Sequence, residues 1–415
     1  MAGLPTRARL CRAPLLLAMA AGPAASQDWP QWRGPARDGR APGFVAPKAW
    51  PAAPRRQWQV PVGKGHSSPI VAAGRAYLFA REGEQEVVSA FDLADGRTLW
   101  RHAYPAPYTV NPAASGHGPG PKSTPVLHDG RLYTLGIGGV LSSLEAATGR
   151  LVWRKEFAGE HRETSPLYGA ALSPAVEAGL LLAHVGGHDA GAFTGFDAAT
   201  GAVRWAARGE GPAYASPVVA TLAGARQVVT QTRTHLVGLS ATDGRRLWQV
   251  PFTTEYDQNA VTPVVDRDVV IYSGLDKGVR ALRIVQGSGG LAAEPLWDNA
   301  EVSLYMSSPV LAGGRLYGLS HKKKGQYFCL DAASGRTLWL SEGRQGENAS
   351  LIVAGDHVLL FSTEGRLVVT RRDAAAFAAL ASYTLAEGEA WAHPAPAGPA
   401  LLLKDAGSLA LWRFE

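Results

Sequence analysis

The sequence predicts an all-β chain folded as one eight-bladed β-propeller with four-stranded antiparallel blades, closed by pairing of an N-terminal strand with the C-terminal blade. Three observations carry this: a glycine hairpin followed by tryptophan that recurs along the chain, a hydroxyl-proline strand start that recurs in step with it, and an incomplete repeat at each end. The composition agrees. There are 48 Gly and 28 Pro among 415 residues, and 46% of the chain is hydrophobic, the balance of many short strands and tight turns around a sizeable core.

The first marker reads Phe91-Asp92-Leu93-Ala94-Asp95-Gly96 and then Trp100, four residues after the glycine. It returns from Leu144 through Gly149 to Trp153, from Phe196 through Gly201 to Trp205, from Leu239 through Gly244 to Trp248, and from Leu330 through Gly335 to Trp339. A looser copy ends at Trp297, and one around Tyr383 has lost the tryptophan. Asp-Gly, Thr-Gly and Ser-Gly supply the positive φ that a tight hairpin requires, so each copy is two antiparallel strands about one turn. A lone hairpin carrying an indole is unstable in water, so the copies must cover one another.

The second marker is a hydroxyl residue and proline before small or β-branched apolar residues: Ser68-Pro69, Thr124-Pro125, Ser173-Pro174, Ser216-Pro217, Thr262-Pro263 and Ser308-Pro309, with decayed copies at Ser350-Leu351 and His393-Pro394. Proline has no N–H to give a ladder, so each marks the first residue of an innermost strand. Their spacing of 42 to 56 residues matches a four-stranded blade and exceeds leucine-rich periods, and no long helical periodicity competes with it. Trp58 ends a repeat that has no beginning, and the stretch from Leu401 to Trp412 begins one that has no end. Joined, they make an eighth blade and remove the exposed sheet edges. Seven blades with a stray strand is the alternative, because the seventh repeat is the most degenerate.

The chain divides into a leader (1–26), an extended N-terminal segment (27–55) and one propeller (56–415). Arg7, Arg9 and Arg12, the apolar run Leu15 to Ala21, and Ala24-Ala25-Ser26 are the three parts of a secretory signal peptide. A mature start at Gln27 and a periplasmic or secreted location follow. The apolar run is too short to span a bilayer, and no later one is longer. Cys11 precedes that run, which gives no lipid-anchor motif and leaves Cys329 the one mature cysteine. No internal disulfide is then available, and Cys329 in Tyr327-Phe328-Cys329-Leu330 reads as a small buried hydrophobe.

Loss of three arginines and no acids takes the formal net charge from +6 to +3. No basic stripe interleaved with aromatics is present, which excludes a nucleic-acid partner. Lys322-Lys323-Lys324-Gly325 reads as a solvated hairpin tip. The His184 and His188 pair has the spacing of a helical zinc motif but follows a strand-like run and encloses Gly186-Gly187, so no metal is expected there. Gly116 to Pro121 is glycine-rich, yet no helix follows to cradle a phosphate.

The Asp-Ala-Ala-Thr-Gly-x-x-x-Trp hairpins and Ser-Pro strand starts resemble the tryptophan-docking repeats of quinoprotein propellers, from about Trp58 to the C-terminus. Asp28-Trp29-Pro30-Gln31-Trp32-Arg33-Gly34-Pro35 is similar to the start of secreted PQQ-binding-like β-propeller repeat proteins. That resemblance assigns Trp58, Trp100, Trp153, Trp205, Trp248, Trp297, Trp339 and Trp412 to structural positions between blades. It implies one of two activities: a non-catalytic scaffold of the BamB type, or a dehydrogenase that uses pyrroloquinoline quinone with calcium. The dehydrogenases carry a vicinal cysteine disulfide and are longer, which favours the scaffold, with no cofactor and no catalytic residue.

Residues just before each innermost strand point to the mouth of a propeller's channel. Here they are His66, Lys122, Tyr214, Asn259, Tyr305, Asn348 and Trp391, a polar and aromatic set suited to a small polar ligand or a protein segment. Two long connections, Arg101 to Ser123 and Arg154 to Leu172, add Tyr104, Tyr108, Asn111, His161, Arg162, Glu163 and Tyr168 as recognition candidates. The expected molecule is a monomer that binds an unspecified protein or small ligand at one face.

Overall fold

The computed structural model describes Met1, Gly3 and residues 28–415, so the proposed cleavage region and Cys11 lie outside the described residues. Eight four-stranded antiparallel sheets follow one another around a ring. Blade 1 is built from Ile70–Ala72, Arg75–Glu82, Gln85–Asp92 and Thr98–Pro105, from the innermost strand outward. Blades 2 to 7 repeat this order over 126–155, 175–208, 218–251, 264–299, 310–340 and 349–384. Blade 8 joins the two ends of the chain: Ala395–Ala397, Ala400–Lys404 and Ser408–Arg413 are completed by Arg55–Pro61, with Trp58 opposite Leu411 and Arg56 opposite Trp412.

The middle strands are buried on both faces, which is why runs such as Ala76-Tyr77-Leu78-Phe79 are apolar without alternation. Between sheets the indoles fill the gap. Trp58 lies against Gly96 of blade 1, where an added Cβ would stand 2.7 Å from the ring, and its Nε1 donates to Leu93 O at 2.9 Å. Trp100, Trp153 and Trp297 make the same pair of contacts with Gly149 and Ala146 O, Gly201 and Ala198 O, and Gly335 and Ala332 O. Trp205 lies on Gly244.

Three tryptophans depart from that pattern. Blade 5 has a long Gly287–Gly290 hairpin instead of the short glycine turn, and Trp248 turns into its own blade, where Nε1 donates to Gln227 Oε1 at 2.5 Å. Blade 7 has no turn glycine, and Trp339 packs on Phe377 with ring centroids 5.6 Å apart. Trp412 stands on a third strand, not a fourth, and is covered by Arg56 at 5.7 Å. The role of outermost-strand plug for blade 8 belongs to Trp58, so Trp412 does not occupy the position expected for it.

In all eight blades the register shifts between the third and fourth strands, between Ala90 and Phe91 in blade 1 and at matching places in the others. Such a bulge adds twist and bends the outermost strand.

The N-terminal segment is part of the ring's base. Trp29 pairs with Val71 of blade 1, Pro30 O accepts from Leu127 N of blade 2, and Arg40 pairs in parallel with Val353 of blade 7. Residues 29–41 thus cross the end of the channel opposite the mouth. Ala41 and Phe44 then join the core with blades 8 and 1.

Candidate functional site

Innermost strands enter the channel as extended chain, so alternate side chains face its axis. The residues immediately before the repeat prolines are Ser68, Thr124, Ser173, Ser216, Thr262 and Ser308, with His393 in blade 8, and all seven line one cavity of about 240 Å³. Two residues further back, His66, Lys122, Ala171, Tyr214, Ala260, Met306 and Trp391 line it again. The hydroxyls tie neighbouring blades. Ser68 N–H donates to Thr124 Oγ1, Thr124 to Ser173, Ser173 to Ser216, Ser216 to Thr262 and Thr262 to Ser308, at 2.9–3.1 Å, and His393 N–H returns to Ser68 Oγ at 2.8 Å. The belt breaks at blade 7, where the proline is lost and Ala349 N–H donates back to Ser307 Oγ.

The floor is Trp32. Its ring faces His393 at 5.3 Å, and beneath it lie the guanidinium groups of Arg33 and Arg37 at 5.4 and 6.0 Å. Both arginines are buried, and both hold positive φ. Arg37 donates to Pro217 O, Pro174 O and Ser173 O at 2.8–2.9 Å, and Arg33 donates to Pro309 O at 2.5 Å. The carbonyls they bind belong to the strand starts themselves, so the arm closes the channel by reading the repeat's backbone. Burial pushes their pKa values down to about 10 and about 9, which still leaves both charged at neutral pH.

Five of the seven residues expected at the mouth are brought together: His66, Lys122, Tyr214, Tyr305 and Trp391. Asn259 and Asn348 are not. Asn259 stands between Gln258 and Ala260, which line the cavity, and its own side chain turns the other way, into the blade. There Nδ2 donates to Thr232 O and Phe252 O at 2.8 Å, and Oδ1 accepts from Thr254 Oγ1. Asn348 precedes a strand that begins early, at Ala349, and is buried beside Thr363.

The two long connections contribute unequally. His117 joins His66 and Trp391 in a ring cluster with centroids 4.9–5.6 Å apart, and Tyr168 stacks near Tyr214 at 5.9 Å. Asn111 caps the short helix Pro112–His117 by accepting from Ala113 N. Tyr104 is buried elsewhere, donating to Glu86 Oε2 at 2.5 Å. Arg162 and Glu163 are exposed, while His161 packs on Phe157.

Electrostatically the cavity is one-sided. Lys122 is the only Lys or Arg lining it among the described residues, and its Nζ donates to Tyr168 O at 2.7 Å. Burial lowers its pKa to about 8. His66 and His393 are pushed down to about 3, by burial and then by nearby positive charge, so both are neutral at physiological pH. Among the described residues no Asp or Glu lines the cavity. Calcium takes several oxygen ligands, chiefly carboxylates, so this lining does not fit a calcium-anchored quinone.

Elsewhere, His184 Nε2 meets Glu210 O and His188 meets Pro212 O and Tyr214 Oη, which commits both to local hydrogen bonds. No cluster of three or more His, Cys, Asp or Glu suited to a metal occurs among the described residues. Cys329 is fully buried in blade 6, and Lys322–Lys324 form the turn before Gln326–Asp331.

Trp32, His117 and the hydroxyl belt were missed as site residues. The hydroxyls were visible as a repeat marker, and counting back two residues from them points to the mouth ring. Nothing in the repeat pointed to Trp32.

A closed ring of eight four-stranded sheets around a single-ended axial cavity defines a β-propeller of PQQ-like repeats. Residues 83–341 match the family model of the outer membrane protein assembly factor BamB, and the chain belongs to that family. No protein of curated function matches the sequence. Among solved structures, BamB from Moraxella catarrhalis is similar with a TM-score of 0.63 at 14% identity, covering 88% of this chain and 98% of that one. A europium-containing methanol dehydrogenase reaches 0.69 at 13% identity, covering 92% and 91%. A quinohemoprotein alcohol dehydrogenase from Pseudomonas putida HK5 reaches 0.67 at 13% identity, covering 94% and 80%. At such identities these likenesses speak to fold alone. Among the described residues no helix is long and apolar enough to cross a membrane.

Proposed function

We propose that the chain is an exported, non-catalytic binding propeller that takes a small polar ligand or a segment of a protein partner at the channel mouth. The matching family model is described as an outer membrane protein assembly factor, which supports a binding role. The leader 1–26, with cleavage before Gln27, supports a periplasmic or secreted location. The observation that carries the reading is the blind aromatic cavity whose wall includes one lysine and no carboxylate. It offers shape, stacking and hydrogen bonds, but no calcium ligand set, and Cys329, the one cysteine among the described residues, is buried and does not line it. The monomeric state is part of the same proposal.

The dehydrogenase reading has the fold likeness in its favour and the cavity chemistry against it. Incubation of the purified protein with Ca²⁺ and pyrroloquinoline quinone separates the two. The binding reading expects no retained quinone absorbance and no alcohol-dependent dye reduction; both appearing together would defeat it. A photo-crosslinker at position 305 should capture a partner from envelope extract, and a Trp391→Ala change in the same protein should abolish that capture. Capture that ignores the mouth variant would move the binding surface elsewhere.

A further inference from the structure

Resting on the reading of the channel as a binding pocket, we propose that its ligand is an anion: a carboxylate carried on a compact, flat apolar body, neutralised by the protein's own cations without a metal.

The charges are the first support. Lys122 stands in the wall, Arg33 and Arg37 lie directly under the Trp32 floor, and Lys404 is buried behind His66 with Nζ on Gly65 O at 2.7 Å. None of the four forms an ion pair with a carboxylate among the described residues. Arg33 also leaves Nε and Nη1 without partners. Asp38 and Asp405 partly offset Arg33 and Lys404, whereas no acid offsets Arg37 or Lys122, and the axial cavity between those two is where their positive field is uncovered. At the rim, Glu389 is exposed and accepts from Trp391 Nε1 at 3.2 Å.

The donors are the second. A hydroxyl has one proton to give. In the belt Thr124, Ser173, Ser216, Thr262, Ser308 and Ser68 each spend an oxygen lone pair on a neighbouring backbone N–H. None of them donates to another group among the described residues. Up to six O–H protons therefore remain for whatever enters the throat, with the two free N–H groups of Lys122 above them. An anion can accept from such a ring, and the lysine beside it sets the sign of the preference.

The walls set the rest of the ligand. Trp391, His117 and His66 stand on the side of blades 8 and 1, and Tyr168 and Tyr214 on the side of blades 3 and 4. Both histidines are neutral at physiological pH, so these are apolar faces suited to a flat ring.

Calorimetric titration of the mature protein with 2-naphthoate and its neutral isostere 2-naphthamide tests this. The carboxylate should bind at least ~10-fold more tightly, in line with a charge-assisted hydrogen bond. Lys122→Met should remove most of that preference, read as the ratio of the two affinities in the same variant, and Lys122→Arg should restore it. Equal affinity for the two probes, or a preference untouched by Lys122→Met in a folded variant, would refute the charge selection and leave the binding role standing. Binding of neither probe, with envelope capture still lost in Trp391→Ala, would refute the ligand seat and keep a protein partner.

Discussion

The two ends of the channel are built by opposite means. At the mouth, loop side chains of different kinds stand around an open cavity, and the repeat contributes only the position from which each one points. At the base, one segment outside the repeat reaches across the ring and binds what every repeat shares, the carbonyls at the strand starts. Identical backbone gives a base that one arm can seal. Varied side chains give a mouth that can discriminate.

That contrast sets the order of expected effects. Arg37→Met strips three carbonyl bonds from a buried guanidinium and should lower unfolding free energy by about 3 kcal/mol, read from denaturant midpoints. Trp391→Ala, at the partly open mouth, should cost about 1 kcal/mol or less. Similar losses for both would erase the distinction.

Acid should act next. His184 is pushed down to about 4, and His66 and His393 to about 3, chiefly by burial. Unfolded imidazoles accept protons near pH 6.5 while these folded ones do not. The unfolded state therefore binds more protons between those values, and stability is full above about pH 6.5 and falls progressively as pH drops toward 4. Thermal midpoints that stay flat from pH 7 to pH 4.5 would contradict the burial of these rings.

Ligand affinity should respond at the other end of the scale. Lys122 loses its charge above about pH 8, so 2-naphthoate binding should weaken by severalfold between pH 7 and 9. The groups that face it do not share that titration: His66 and His117 are neutral throughout, and burial raises Tyr214 above the usual phenol range. Lys404 also has a pKa lowered to about 8, so the Lys122→Arg variant separates the two: the weakening it loses belongs to Lys122, and any that remains belongs to Lys404. Smallest of all, Cys329, its thiol pushed up to about 12 by burial, should resist alkylation until the protein unfolds.

Much of the ring was legible because hairpins and strand starts impose residue types: glycine where φ must be positive, proline where no ladder N–H is needed. Closure was legible because Trp58 and Trp412 bracketed one missing blade. Register inside the site was less so. Asn259 precedes its innermost strand as expected of a mouth residue, but it is Ala260 that lines the cavity, and a single step reverses a strand's side chains. Asn348 failed because blade 7 lost the proline that fixes where its strand begins. The bulge before each outermost tryptophan leaves no compositional trace, and Trp248 and Trp412 depended on what the neighbouring blade offers. Trp32, Arg33 and Arg37 belong to no repeat, and their partners are backbone carbonyls, which every sequence supplies alike.

The blind end of the channel is most directly tested by amide hydrogen exchange on the mature protein. Trp29 and Ala41 donate to Val71 O and Val353 O, so their amides should be protected to the same degree as the innermost strands. Exchange of both at the rate of free chain, with those strands still protected, would mean an arm that hangs loose and a channel open at both ends.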